Sequence, residues 1–204
     1  MSAELSEKRS STFSWFEWVL KLDSWLRRRQ GIYEFTTHPR CLFRAGIGQS
    51  DRALALGDGT QLAAGDPILI LHLWNEHILP MGHGGPTVAW ARQMCRAGHV
   101  SLRELARYLQ QHAELDDVAA ICGDMHLGSA RQAEQFTRIV SRYGFETVDE
   151  GEAETASTLH RIGKNILVLL LVAATNPVAL RSTLLRRFHR RVFMSRTTLA
   201  WRYR

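Results

Sequence analysis

The sequence predicts an α/β domain, with one mixed sheet of about five strands covered by helices and amphipathic helices at both termini. Three observations carry this. Residues 67–74, PILILHLW, form a near-continuous apolar run after Gly65-Asp66, as a central strand covered on both faces requires. Helix-period and strand-like segments alternate after residue 86. Turn residues crowd GDGTQLAAGD, between two short apolar stretches. A chain of 204 residues is long enough to bury a core without disulfide staples.

Residues 1–30 are expected to form an N-terminal amphipathic helix. In STFSWFEWVLKLDSWLRRR, a 100° step places Ser14, Glu17, Lys21, Ser24 and Arg28 on one narrow polar wedge. Phe13, Trp15, Phe16, Trp18, Trp25 and several leucines fill most of the remainder. So wide an apolar arc implies packing on two sides, or contact with a protein partner, a second copy of the chain or a bilayer interface.

Residues 31–155 are expected to be the α/β core. CLFRAGI and ALAL read as strands ahead of PILILHLW. PTVAWARQMCRAG reads as a helix that starts near Pro86 and stops at Gly98. SLRELARYLQQH reads as a second helix, with Ser101 as N-cap and Glu104 completing a capping box. VAAICGDMHL is the next strand, SARQAEQFTRIVSRYG a helix closed by Gly144, and FETVDE a short strand.

Residues 156–204 are expected to add an apolar helix and a basic segment to the same domain. NILVLLLVAA is broken at Asn176-Pro177, well short of the about 20 residues a spanning helix needs. In the following segment Leu180, Leu184, Leu185 and Phe188 share one side, and Arg186, Arg187, Arg190 and Arg191 crowd the rest. That pattern is a basic amphipathic helix. No acidic residue occurs from Thr155 onward.

The formal net charge is +6, and lysine occurs only at Lys8, Lys21 and Lys164, so arginine carries nearly all the positive charge. Clustered arginine beside leucine and phenylalanine suits an anionic membrane surface, and Arg186, Arg187, Arg190, Arg191 and Arg196 are the candidate anion-binding residues. The same cluster would bind nucleic-acid phosphates, although no helix-turn-helix or RNA-binding aromatic motif accompanies it. A solvated basic face needs no partner at all. Cys41, Cys95 and Cys122 form no CxxC pair, and their odd count suits a reducing compartment. The opening MSAELSEKRSSTF does not read as a secretory signal. A cytoplasmic protein, peripheral at the inner membrane, is expected.

The densest chemistry lies in GDPILILHLWNEHILPMGHGG, residues 65–85. On an extended strand Ile68, Ile70, His72 and Trp74 point one way, and Leu69, Leu71, Leu73 and Asn75 the other. His72 therefore emerges near the strand's C-terminal end, where α/β sheets open a ligand crevice. Asn75, Glu76, His77 and His83 follow. An acid–base site would use His72, Asn75, Glu76 and His77. The alternative is that these groups satisfy backbone polar atoms where the strand ends. HxxNEH is not the helical HExxH zinc pattern, and GHGG matches no nucleotide fingerprint, so neither metal nor cofactor is expected. Cys122 with His126 could be posed as nucleophile and base, without an oxyanion motif beside them.

Three segments resemble a known family. They are Gly65-Asp66 with Leu69-x-Leu71-His72-Leu73-x-Asn75, then Tyr143-Gly144-Phe145-Glu146, then Phe193-Met194-Ser195-Arg196 leading to Leu199 and Arg202-Tyr203. In this order they resemble the bacterial YkoP-like domain, over most of residues 30–204. The resemblance implies a cytoplasmic domain of unsettled activity, found in some proteins beside polysaccharide deacetylase domains. No deacetylase motif is present, so that chemistry does not carry over, and no catalytic residues transfer. The expected function is an accessory protein at the cytoplasmic face of the membrane in bacterial lipid or envelope-glycan metabolism. The alternatives are an enzyme acting on a phosphorylated or acylated envelope precursor, with a histidine acid–base residue, and a nucleic-acid-binding module.

Overall fold

The computed structural model describes residues 31–80, 85, 87–127, 130–148 and 188–204. The expected N-terminal helix over residues 1–30, His83, the apolar segment, and Arg186 and Arg187 lie outside them.

In chain order the strands are β1 (Ile32–Tyr33), β2 (Phe43–Gln49), β3 (Leu54–Ala55), β4 (Gln61–Leu62) and β5 (Pro67–Leu73). Helix α1 (Val88–Gln111) leads to β6 (Ala120–Leu127), helix α2 (Ala130–Arg142) to β7 (Glu146–Val148). Strand β8 (Phe188–Ser195) runs straight into helix α3 (Arg196–Arg202). Six strands form one mixed sheet in the order β1-β2-β5-β6-β8-β7, and β3 pairs with β4 in a separate hairpin. Among the described residues only β5 and β6 pair in parallel, joined through α1. The mixed α/β class is as the sequence predicts, and β5 is central, between β2 and β6.

The alternation read along β5 sorts the core into two clusters. Leu69 and Leu71 join Leu102, Leu105 and Leu109 of α1, Val140 of α2 and Leu199 of α3. Ile68 joins Leu56, Leu62, Cys122 and Phe193, with Ile70 packed against them. The described helices therefore form a single layer on one face, and the β3–β4 hairpin covers part of the other.

Two expectations need correction. The two helices predicted either side of Gly98 are one helix of 24 residues. Gly98 is buried inside it beside the Tyr143 ring, so the helix runs through it rather than stopping. Ser101 caps no helix: its fully buried hydroxyl donates to Ala97 O (2.7 Å) and accepts from Leu42 N (2.7 Å). The actual N-cap is Thr87, whose side chain accepts from Trp90 N. Secondly, Arg190 and Arg191 do not lie on a helix. They belong to β8, between β6 and β7, where Val192 and Met194 enter one core cluster and Phe193 the other. The C-terminal helix is α3, capped by Ser195.

Candidate functional site

His72 sits opposite Arg44 in the β2–β5 register, and its ring lies over Gly46, where a Cβ would come within 3.4 Å of Nε2. Arg44 is the hub of the strand end. It is only 6% exposed, and its guanidinium donates to Glu34 Oε1 (3.1 and 3.2 Å) and to both oxygens of Glu76 (3.3 Å each). A buried guanidinium needs such carboxylate partners, because its charge loses most of its water. The same group lies 4.5 Å from the Trp74 ring centre. Trp74 in turn stacks on His77 at 3.7 Å and 14°. His77 Nδ1 is 2.8 Å from the Cys41 carbonyl oxygen, an acceptor only, so Nδ1 carries the proton and donates.

The structure thus brings His72, Glu76 and His77 to one strand end, as the sequence predicts. It holds Glu76 and His77 in internal contacts: Glu76 neutralises Arg44, and His77 completes a backbone hydrogen bond. Asn75 begins the short 3-10 turn Asn75–His77 that carries both. In the sheet register, His72 shares its face with Asp124 and Arg191 on the neighbouring strands.

The other candidates are separated or occupied. Cys122 is fully buried. Cys122 and His126 are four residues apart on β6, which puts their Cα atoms about 13 Å apart along a strand, too far for a nucleophile–base pair. Arg191 donates to Asp124 Oδ1 (2.9 Å) and Asp51 Oδ2 (2.7 Å). Burial works to lower its pKa, but Asp124, with Cys122 and Asp51 nearby, raises it on balance. Arg196 donates to the Leu115 and Leu109 carbonyls and to Asp116 (2.7 Å), tying α3 to the end of α1. Arg190 is half-buried on β8.

A second polar cluster joins the hairpin to the sheet. Asp58 Oδ2 accepts from the Ser195 and Thr198 hydroxyls, and its Oδ1 accepts from Thr60 N (3.0 Å). Burial pushes the carboxyl up, but the bonds from Ser195, Thr60 and Thr198 outweigh it and hold Asp58 below its ordinary value. Both carboxylate oxygens of Glu146 accept from Gly57 N (3.0 and 2.8 Å). Each element of this cluster is satisfied within the fold.

One basic feature was missed at the sequence level. Arg92, Arg96, His99, Arg103 and Arg107 are all exposed on α1, and helical geometry places them within an arc of about 80°. The spacing is present in the sequence, but a helix break at Gly98 splits it in two. On α2, Arg131, Arg138 and Arg142 are exposed, and at the chain end Arg202 and Arg204. Trp201 stands 72% exposed beside them.

Among the described residues, no group of three or more His, Cys, Asp or Glu side chains is placed to hold a metal ion. No described helix is long and apolar enough to cross a membrane. The family model for the YkoP domain matches residues 47–203. No curated protein and no solved structure matches the chain.

Proposed function

The chain belongs to the YkoP domain family, and from that premise and the site geometry we propose an accessory protein at the cytoplasmic face of a bacterial membrane, in lipid or envelope-glycan metabolism. The observation that carries this reading is Trp201. It projects from α3 opposite the buried Leu199, with Arg202 and Arg204 also exposed beside it. An exposed indole among arginines matches the membrane interface, where the ring enters the headgroup region and the cations meet anionic lipid. The engagement of Glu76 and His77 in internal contacts favours a binding role over catalysis.

Flotation of the full chain with vesicles tests it. Binding should rise with the phosphatidylglycerol fraction, fall with added salt as exposed charges are screened, and weaken in Trp201→Ala. Equal recovery with purely neutral vesicles, or none with either kind, would remove the reading.

A second reading keeps one supporting observation. His72 shares a sheet face with Asp124 and Arg191 at the C-terminal end of the parallel β5–β6 pair, where α/β sheets commonly place ligands. An enzyme acting on a phosphorylated or acylated precursor would use His72 as its acid–base residue. His72→Gln would then cut turnover of such a precursor about 10²–10⁴-fold, the range an acid–base histidine contributes, a loss far larger than any accompanying change in stability would produce.

A further inference from the structure

We infer that the helical layer is the docking face for an anionic phospholipid bilayer, with the α1 arginine stripe lying along the lipid phosphates. The inference rests on the membrane reading above and names the surface that serves it.

The three helices belong to one layer, because each contributes to the same core cluster beneath: Leu102 and Leu105 from α1, Val140 from α2, Leu199 from α3. They are also joined to one another. Tyr143 Oη, just past α2, donates to Cys95 O of α1 (3.1 Å), and Arg202 of α3 donates to Arg142 O of α2 (2.6 Å). The His99 ring of α1 lies 5.8 Å from that of Tyr203, which follows α3. The faces of these helices that point away from the core therefore form one surface.

That surface is basic. From Arg92 to Arg107 the stripe runs about 22 Å along α1 at 1.5 Å per residue, and no acidic residue lies within it. Arg92, Arg96 and Arg103 make no ion pair among the described residues. Glu104, on the stripe's flank, bonds Arg107 and Thr36. On α2 the one opposing charge is Glu134, 3.9 Å from Arg138 with both side chains largely exposed, a pair too solvated to neutralise the face.

Charge alone would serve nucleic acid equally well. The apolar residues decide for a bilayer. Of the five large apolar side chains most exposed in the described residues, three lie on this layer, one per helix: Val88 (70%) on α1, Ile139 (51%) on α2 and Trp201 (72%) on α3. Phosphate contacts on a duplex gain nothing from scattered aliphatic groups, whereas a bilayer interface buries them while arginines hold the headgroups.

The test uses the full chain, vesicles of phosphatidylcholine with and without phosphatidylglycerol, and two triple variants. Arg92→Gln, Arg96→Gln and Arg103→Gln together should lower the partition coefficient onto anionic vesicles about 100-fold, from a roughly fivefold effect per basic residue at the surface. The Arg→Lys triple at the same positions, which keeps the charge, should retain most of the binding. Circular dichroism melts should stay close to those of the unaltered chain, since all three side chains are exposed. Salt-sensitive binding that persists in the Gln triple, or is lost equally in the Lys triple, overturns the stripe while leaving the membrane reading standing. Failure of the unaltered chain to bind anionic vesicles overturns both, and so does stripe-dependent binding to duplex DNA in its place.

Discussion

Arg44 shows how one residue decides whether the strand end is a site or a support. Its guanidinium is buried while its partners are not: Glu34 is 49% exposed and Glu76 32%. Removing the central charge should therefore weaken the fold more than removing either flank. Arg44→Met is expected to destabilise by about 3 kcal/mol, at the low end for a broken buried pair because both carboxylates keep water. Glu34→Gln should change stability by less than about 1 kcal/mol, as half-exposed ion pairs usually do. Urea unfolding of the two variants separates them, and equal effects would show that the clamp is not what holds the strand end. Asp58 has a pH signature. Its folded carboxyl is held below the ordinary value, so its stabilising contribution is complete above the usual carboxylate range and fades as pH falls through the folded value. Melting temperature should drop below about pH 4, and Asp58→Asn should flatten that part of the curve. The sequence placed His72, Glu76 and His77 correctly at the end of a strand. It could not show that Glu76 would meet Arg44, or that His77 would meet Cys41, because those partners arrive through the β2–β5 pairing from about 30 residues away.

At the scale of elements, α1 turns on Gly98. A local reading treats glycine after a periodic run as a stop, yet here tertiary packing overrides it. The helix runs on through Gly98 with the Tyr143 ring beside it, and a Cβ added there would sit 3.5–3.7 Å from that ring, an ordinary contact. Gly98→Ala should therefore raise stability by up to about 1 kcal/mol, as alanine gains over glycine in a helix interior. Thermal melts of the variant check this, and a fall of that size would mean the Tyr143 ring cannot accommodate a methyl. Ser101→Ala should act the other way, by about 1–3 kcal/mol, because it leaves Leu42 N without its buried acceptor. Strand β8 was the harder element to read. The spacing of Leu180, Leu184, Leu185 and Phe188 suggests a helix, and Arg190 and Arg191 fit the same period. The strand alternation is visible only in Val192-Phe193-Met194-Ser195. The partners that make an arginine tolerable on a central strand, Asp124 and Asp51 for Arg191, lie far away in the sequence.

Over the whole molecule, the residues that carry the family resemblance also interlock the fold. Gly65 adopts φ +94° in the turn before β5 and Gly144 φ +92° after α2, where a side chain would be strained. Glu146 and Ser195 fasten the hairpin to the sheet, Arg196 ties α3 to the end of α1, and Tyr203 Oη donates to Tyr143 O. Such residues specify an architecture and leave the exposed layers open to a function of their own. In the proposed account that function belongs to the helical layer, which turns arginines and one large apolar side chain per helix away from the core. The chain offers a native handle for testing this directly. Cys95 is exposed on α1, whereas Cys41 and Cys122 are buried. A nitroxide on Cys95 can be compared with one on Ala63→Cys, exposed beside the hairpin on the other side of the sheet, in a Cys95→Ser background. On vesicles containing phosphatidylglycerol, the Cys95 label should lose access to a water-soluble paramagnetic relaxant while the label at position 63 keeps it. Protection of position 63 with Cys95 still open to water would contradict docking through the helical layer.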